Sequence, residues 1–224
     1  MKQTSITKLS EIYNALLDPE NARISNSQAA EMIQEVIRAE ASTPVKGSKF
    51  DIFNFVGKDS LRPVMCGVFH DDGWRVASDL HILYAERAEY PEEYEHKILL
   101  KDGSFVEYGV YPKWRSIIPD GKDYEEYEFD AKKFYGWIEQ KRIEWKAANG
   151  RGTKFAYSWK VKVGPAYLKA EFFDKFITAM KEIGATKILI KDYRRMVYAK
   201  TDKGCVLLMP IIEAEDNTDT LTLA

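Results

Sequence analysis

Apolar residues fall at helical spacing at the start of the chain, at Leu9, Ile12, Leu16 and Leu17, until Asp18-Pro-Glu-Asn21 interrupts them. This pattern predicts an amphipathic helix that stops at the proline. A second helix is expected from Ser25-Asn-Ser27, capped by one of those small polar residues, with Ala30, Met32, Ile33, Val36 and Ile37 on its apolar face. The polar, proline-containing stretch 41–49 reads as a linker. From Phe50 the texture changes to short apolar runs bounded by turn signals, which predicts strands. Residues 63–69 lead into His70-Asp71-Asp72-Gly73 and then 74–77, the pattern of a hairpin closed by Asp-Gly. Strands are also expected at 82–88, 98–100 and 105–110, with Lys101-Asp102-Gly103 turning between the last two.

The stretch Val110-Tyr-Pro-Lys-Trp-Arg-Ser-Ile-Ile-Pro119 divides the chain. Its two prolines cannot donate to a ladder and would break a helix, so a short, extended and rigid junction is expected between them. Beyond it the order is a strand at 124–129, a helix at 131–147 with Phe134, Trp137, Ile138 and Ile143 on its apolar stripe, and a strand at 155–163. A helix follows at 169–183, with Phe172, Phe173, Phe176, Ile177 and Met180 facing inward and Gly184 as its stop. Strands at 187–190, 196–199 and 206–212 complete the half, and the acidic, polar end is expected to be disordered. The expected divisions are a helical extension (1–45), two units (46–119 and 120–213) and a tail (214–224).

Composition narrows the classes. With 45% apolar and 13% aromatic residues among 224, the chain has material for an ordinary core and is not a disordered protein. A formal net charge of −2 argues against coating nucleic acid with the whole surface, while leaving room for a local basic face. Nowhere do roughly 18 uninterrupted apolar residues occur, so no membrane helix is expected and the reading is a soluble, cytoplasmic protein. Cys66 and Cys205 lie in apolar runs and are expected to be buried free thiols.

Three separated segments carry a resemblance. Asp79-Leu-His81-Ile-Leu83 is similar to the Asp-Gly-His-Arg-Leu turn of the bacterial sliding clamp, the beta subunit of DNA polymerase III, with Leu80 and Ile82 as departures. Tyr111-Pro-Lys-Trp-Arg-Ser-Ile-Ile-Pro119 resembles that family's interdomain segment, and Val206-Leu-Leu-Met-Pro210 its closing Val-Val-Met-Pro strand. The resemblance runs over about 51–212. It implies an α+β fold of clamp-like units, curved antiparallel sheets with helices on one face, here preceded by the N-terminal helical extension. A bacterial clamp has three units; this chain has at most two, matching the last two by order, and 90–109 is too short for the first unit's second helix. Two units per chain would need three copies for a six-unit ring.

The resemblance also implies a site. His81, Leu83, Pro112, Ile117, Leu207 and Met209 would converge on a groove between the units that takes a Gln-Leu-x-Leu-Phe-like peptide of a DNA polymerase or other clamp client. Proline walls, an adaptable Met209 and burial of two or three apolar anchors at roughly 25 cal/mol per Å² make such a groove physically sound; the alternative is six ordinary core residues. Lys132, Lys133, Lys141, Arg142 and Lys146 on the first helix, with Lys175 on the second, would hold duplex phosphates without sequence preference, the alternative being a solvated helix face. His70-Asp71-Asp72 and Asp79-x-His81 could be imagined as metal ligands, yet turn chemistry explains both. No Gly-rich phosphate loop, nucleophile elbow or His-Glu-x-x-His helix occurs. The expected function is a noncatalytic clamp-like processivity or accessory factor in DNA replication or repair, without cofactor. A non-ring adaptor or inhibitor that binds clamp clients is the alternative, and a metal-dependent nucleic-acid hydrolase the enzyme alternative. The end segment Asp219-Thr-Leu221-Thr-Leu223 spaces two leucines as the client peptide does and could enter the groove as an internal competitor.

Overall fold

Asp72 and Gly73 both take positive φ, 50° and 73°, and Asp71 and Trp74 exchange backbone hydrogen bonds of 2.9 and 3.1 Å across them. This is the tight turn that Asp-Gly favours. It closes the first hairpin of a computed structural model that describes residues 50–150, 155, 159–212 and 220–224, with isolated positions at 12, 25, 28, 29, 32 and 33. In chain order the strands are β1 (Val68–His70), β2 (Trp74–Ser78), β3 (Ile82–Arg87), β4 (Ile98–Leu99), β5 (Glu125–Tyr127), β6 (Lys160–Val163), β7 (Ala166–Lys169), β8 (Ile188–Ile190), β9 (Val197–Lys200), β10 (Gly204–Leu208) and β11 (Thr220–Thr222); the helices are α1 (Ala131–Asn149) and α2 (Ala170–Ile183).

Eight strands form one sheet in the order β4-β1-β2-β3-β10-β9-β8-β5, every neighbouring pair antiparallel. Its four strands from before the junction meet the four from after it along the β3–β10 ladder, where Leu83 faces Leu207 and Ile82 faces Leu208. Because side chains alternate across a strand, this seam feeds two cores. Ile82, Tyr84, Val206 and Leu208 pack inward with Phe173, Phe176, Ile177 and Met180 of α2 and Phe134 and Ile138 of α1. Leu83, Ala85, Cys205 and Leu207 pack outward with Tyr111, Trp114, Tyr198 and Met65. All five residues of β10 are therefore buried, which is why that strand reads as a continuous apolar run.

Local chemistry fixes the helices. Asp130 caps α1 by accepting from Lys132 N (2.8 Å) and Lys133 N (3.2 Å). Gly184, with φ of 74°, ends α2 in the left-handed conformation while Ala185 N donates to Met180 O at 2.8 Å. Ser25 N donates to Gln28 Oε1 (2.8 Å) and Gln28 N to Ser25 Oγ (3.2 Å), so Ser25 is a reciprocal helix cap. The rest of the two expected N-terminal helices, and the linker at 41–49, lie outside the described residues apart from single helical positions such as Ile12, Ala29 and Ile33.

Several expectations change. Between residues 50 and 130 the helical segments are all 3-10 turns, at Ile52–Phe55, Pro63–Met65, Glu92–Tyr94 and Trp114–Ile117. The strand expected at 105–110 is a single bridge from Phe105 to Leu99; Gly109 has φ of 106° and lies so close to Val64 that a Cβ would sit 2.5 Å from Cγ1. The helix expected from 169 is preceded by a second small hairpin, β6–β7, joined at Gly164-Pro165 and completed by β11 as the order β11-β6-β7. Residues 220–222 are thus a strand, against the disorder expected of the whole tail. Cys205 is buried, which raises its thiol to about 11, and Cys66 is half-buried, its Sγ donating to Asp59 O at 3.3 Å.

Candidate functional site

The junction is not extended. Lys113 has φ of −68° and ψ of 72°, the inverse γ-turn, and Trp114 N donates to Pro112 O at 2.7 Å; a 3-10 turn, Trp114–Ile117, follows. The two prolines flank this turn rather than occupy it, so they set its ends without preventing it. Tyr111 stacks on Phe69 with centroids 4.7 Å apart. Trp114, 3% exposed, donates Nε1 to Asp71 Oδ2 at 2.7 Å. The Arg115 guanidinium lies over the Trp114 ring at 4.6 Å, binds the same Asp71 carboxylate, and donates to Asp71 O at 3.1 Å. The junction is thereby strapped across the outer face to the β1–β2 turn. Sequence reasoning assigned Asp71 to the turn alone; the signal for its second role was an Arg beside an aromatic in the junction, and Arg115 pairs with the neighbouring Asp72 as well, at 3.6 Å.

The six groove residues divide. Leu83 and Leu207, opposite each other in the seam, are buried in the outer core. Met209 follows β10 and is 46% exposed, and its N–H donates to His81 O at 2.8 Å. Pro112 and Ile117 are exposed on the junction. His81 is exposed and its ring turns to the helix side, stacked on Phe172 with centroids 4.9 Å apart. The turn that aims it carries Leu80 at φ of 75°, held by Asp79 Oδ1, which accepts from His81 N and Ile82 N, each at 3.0 Å. The sheet end therefore brings together four of the six, two as buried floor and two at the surface. Beside it, a cleft of about 270 Å³ is lined by Arg62, Met65, Leu80, His81, Phe172 and Lys175 among others.

The basic residues also divide. Lys132, Lys133 and Lys146 are exposed on α1, whereas Lys141 and Arg142 are half-buried. Lys141 pairs with Glu144 at 3.1 Å and Arg142 with Glu139 at 2.9 Å, while Lys133 Nζ donates to Thr222 O at 2.9 Å. Lys175 pairs with Asp79 at 3.4 Å and lies over Phe172. The second helix bears Glu171, Asp174 and Glu182 against Lys175 and Lys181, so the cationic surface is that of α1.

Both imagined metal sets are engaged elsewhere. His70 is 2% exposed, its Nδ1 lies 3.3 Å from Lys97 O, and Tyr90 and Tyr94 meet its ring edge-on. Burial pushes its pKa from 6.5 down to about 4, so it is neutral. Asp71 holds Trp114 and Arg115, and Asp79 holds its turn and Lys175. Among the described residues no helix is long and apolar enough to cross a membrane.

No family model and no curated protein matches the sequence. Among solved structures, the Helicobacter pylori beta clamp bound to DNA ligase peptide is similar at 15% identity and a TM-score of 0.51, over 80% of this chain and 63% of the clamp. The C. crescentus beta sliding clamp is similar at 12% identity and a TM-score of 0.51, over 76% of this chain and 69% of that one. DNA polymerase III subunit beta from Borrelia burgdorferi is matched over 62% of its length, at 14% identity, a TM-score of 0.47 and 80% of this chain. The chain thus spans less than two thirds of the first and third of these proteins. The eight-stranded antiparallel sheet with both helices packed on one face gives this chain a divergent form of the fold of DNA polymerase III beta sliding clamps.

Proposed function

We propose that the chain is a noncatalytic, clamp-like accessory factor of DNA replication or repair, which takes a client peptide at the sheet end where the start of β3 lies beside the end of β10. The observation that carries this reading is the sheet end itself: the buried Leu83–Leu207 pair continues into the exposed Met209, tied to His81 by a 2.8 Å hydrogen bond. In this reading Met209 lines the open side of the site, and the exposed Ile117 and Pro112 of the junction are its proposed further wall. Sealing two or three apolar anchors against them supplies most of the affinity, and the flexible thioether adapts to the occupant. The similar clamp from H. pylori is bound to a DNA ligase peptide, an occupant of the same class.

Duplex DNA is the second partner in this reading, held loosely by α1 through Lys132 and Lys146, with a homo-oligomeric ring as the arrangement that would enclose it. The excess of acids on α2 favours a second reading, a clamp-fold adaptor or inhibitor that binds the same clients without a ring. Peptide capture is common to both. A fluorescent Gln-Leu-x-Leu-Phe peptide should bind, and Met209→Lys should weaken it at least tenfold while leaving the melting temperature unchanged, since Met209 is half exposed. Equal affinity for the two proteins would overturn the groove.

A further inference from the structure

Residues 220–224 have a defined seat. Thr220, Leu221 and Thr222 run parallel to Lys160, Val161 and Lys162 of β6. Leu223 N donates to Lys162 O at 3.0 Å, and Gly164 N to Ala224 O at 3.2 Å. From α1, Lys133 Nζ donates to Thr222 O at 2.9 Å. Leu221 and Leu223 pack against the inner core beside the fully buried Val161 and Val163, while Thr220, Thr222 and Ala224 are exposed.

Three observations mark β11 as a guest on this edge. It is the parallel member of a fold whose other described ladders are antiparallel. It is shallow, with none of its residues buried, the character of an element that opens locally at low cost. Its sequence connection, 213–219, carries four acids, Glu213, Glu215, Asp216 and Asp219, and the edge it reaches is flanked by Lys133, Lys160 and Lys162.

We infer that the edge of β6 is a strand-acceptor site whose second occupant is the 220–224 strand of another copy of this chain, exchanged for the resident one. An added strand gains affinity from main-chain hydrogen bonds and specificity from alternate side chains; here the specificity is two leucines, two residues apart, preceded by acids. Exchange conserves every contact described above, because the incoming strand has the same sequence, and it costs only the advantage of the short tether. The site lies on α1 and β6 and shares no residue with the proposed peptide groove; the chain that follows Met209 reaches the other strand of the hairpin, where Ile211 N donates to Tyr167 O at 2.7 Å.

The test uses a fluorescent peptide with the sequence of residues 214–224. A chain ending at Glu213 should bind it saturably, at least tenfold more tightly than the full chain, whose own strand competes. A peptide carrying Leu221→Asp and Leu223→Asp should lose at least tenfold. Should the shortened chain fail to fold, the same two substitutions in the full chain release its own strand and give an equivalent acceptor. In sedimentation at rising concentration the full chain should gain a dimer that the shortened chain lacks, and Met209→Lys should change neither result. Equal binding to full and vacated chains, or indifference to the leucines, would overturn the acceptor site. A full chain that stays monomeric throughout would overturn the exchange.

Discussion

Removing the indole of Trp114 tests the strap that holds the junction to the sheet. The side chain is 3% exposed, packs in the outer core with Trp74 at 5.5 Å, and donates 2.7 Å to Asp71. Trp114→Ala should cost about 3–5 kcal/mol, as large aromatic truncations in cores do. Trp114→Phe keeps most of the buried ring and loses the donor; with a charged acceptor the loss should be about 1–3 kcal/mol. Asp71 also binds Arg115, so the single Asp71→Ala includes that second contact and only a double-mutant cycle isolates the pair. Urea unfolding at constant m should give a Trp114–Asp71 coupling of about 1 kcal/mol or more. Arg115→Met, which removes the stacked cation and leaves the indole bond, should cost less than Trp114→Phe. A coupling near zero, with Trp114→Phe no worse than Arg115→Met, would refute the strap and leave the junction held by apolar packing alone.

Other predictions concern the buried histidine, the seam and the basic helix. His70 titrates near 4 when folded against 6.5 in an unfolded chain, so between those values the unfolded state binds more protons; stability is full above about pH 6.5 and falls as pH drops toward 4. Urea titrations should show a loss of about 2 kcal/mol between pH 7 and pH 5 that shrinks in His70→Asn, and an unchanged slope would place His70 in water. Gly204→Ala puts a Cβ 2.5 Å from Ala85 O and 2.8 Å from Ile183 Cγ2, and should destabilise by about 1–3 kcal/mol in thermal melts; a neutral substitution would mean that β10 is not seated so closely between β3 and α2. Lys132→Glu with Lys146→Glu should flatten the salt dependence of duplex binding by about 0.9 in logarithmic slope per lost phosphate contact, and an unaltered slope would remove α1 from the DNA reading.

Much of the fold was legible because its signals are local. Asp-Gly fixed a turn, Gly184 stopped a helix, and short apolar runs bounded by turn signals marked β2 and β3. What was not legible depends on neighbours distant in sequence. The Gly109 segment was read as a strand from its apolar flanks, but its course is set by Val64, and Pro165 hid a hairpin whose pairing partner, β7, merges directly into α2. At the site, two of the three motifs share one sheet end, while the junction is tied to the β1–β2 turn at the other end of β2, and the chain could not tell floor from wall: Leu83 and Leu207 are buried in the outer core with Tyr111 and Trp114 of the junction. The cations of α1 were counted along one helix, whereas the acids that pair Lys141 and Arg142 lie three residues away on the same helix, a spacing that was open to reading.

Methyl-resolved NMR is the most direct measure of the proposed groove. On titration with a Gln-Leu-x-Leu-Phe peptide, the methyl resonances of Met209 and Ile117 should move, with smaller shifts at Leu83 and Leu207 beneath them, while Leu221 and Val161 on the β6 edge stay fixed. A titration that leaves Met209 and Ile117 unmoved, whether or not another surface responds, would contradict a client groove at this sheet end.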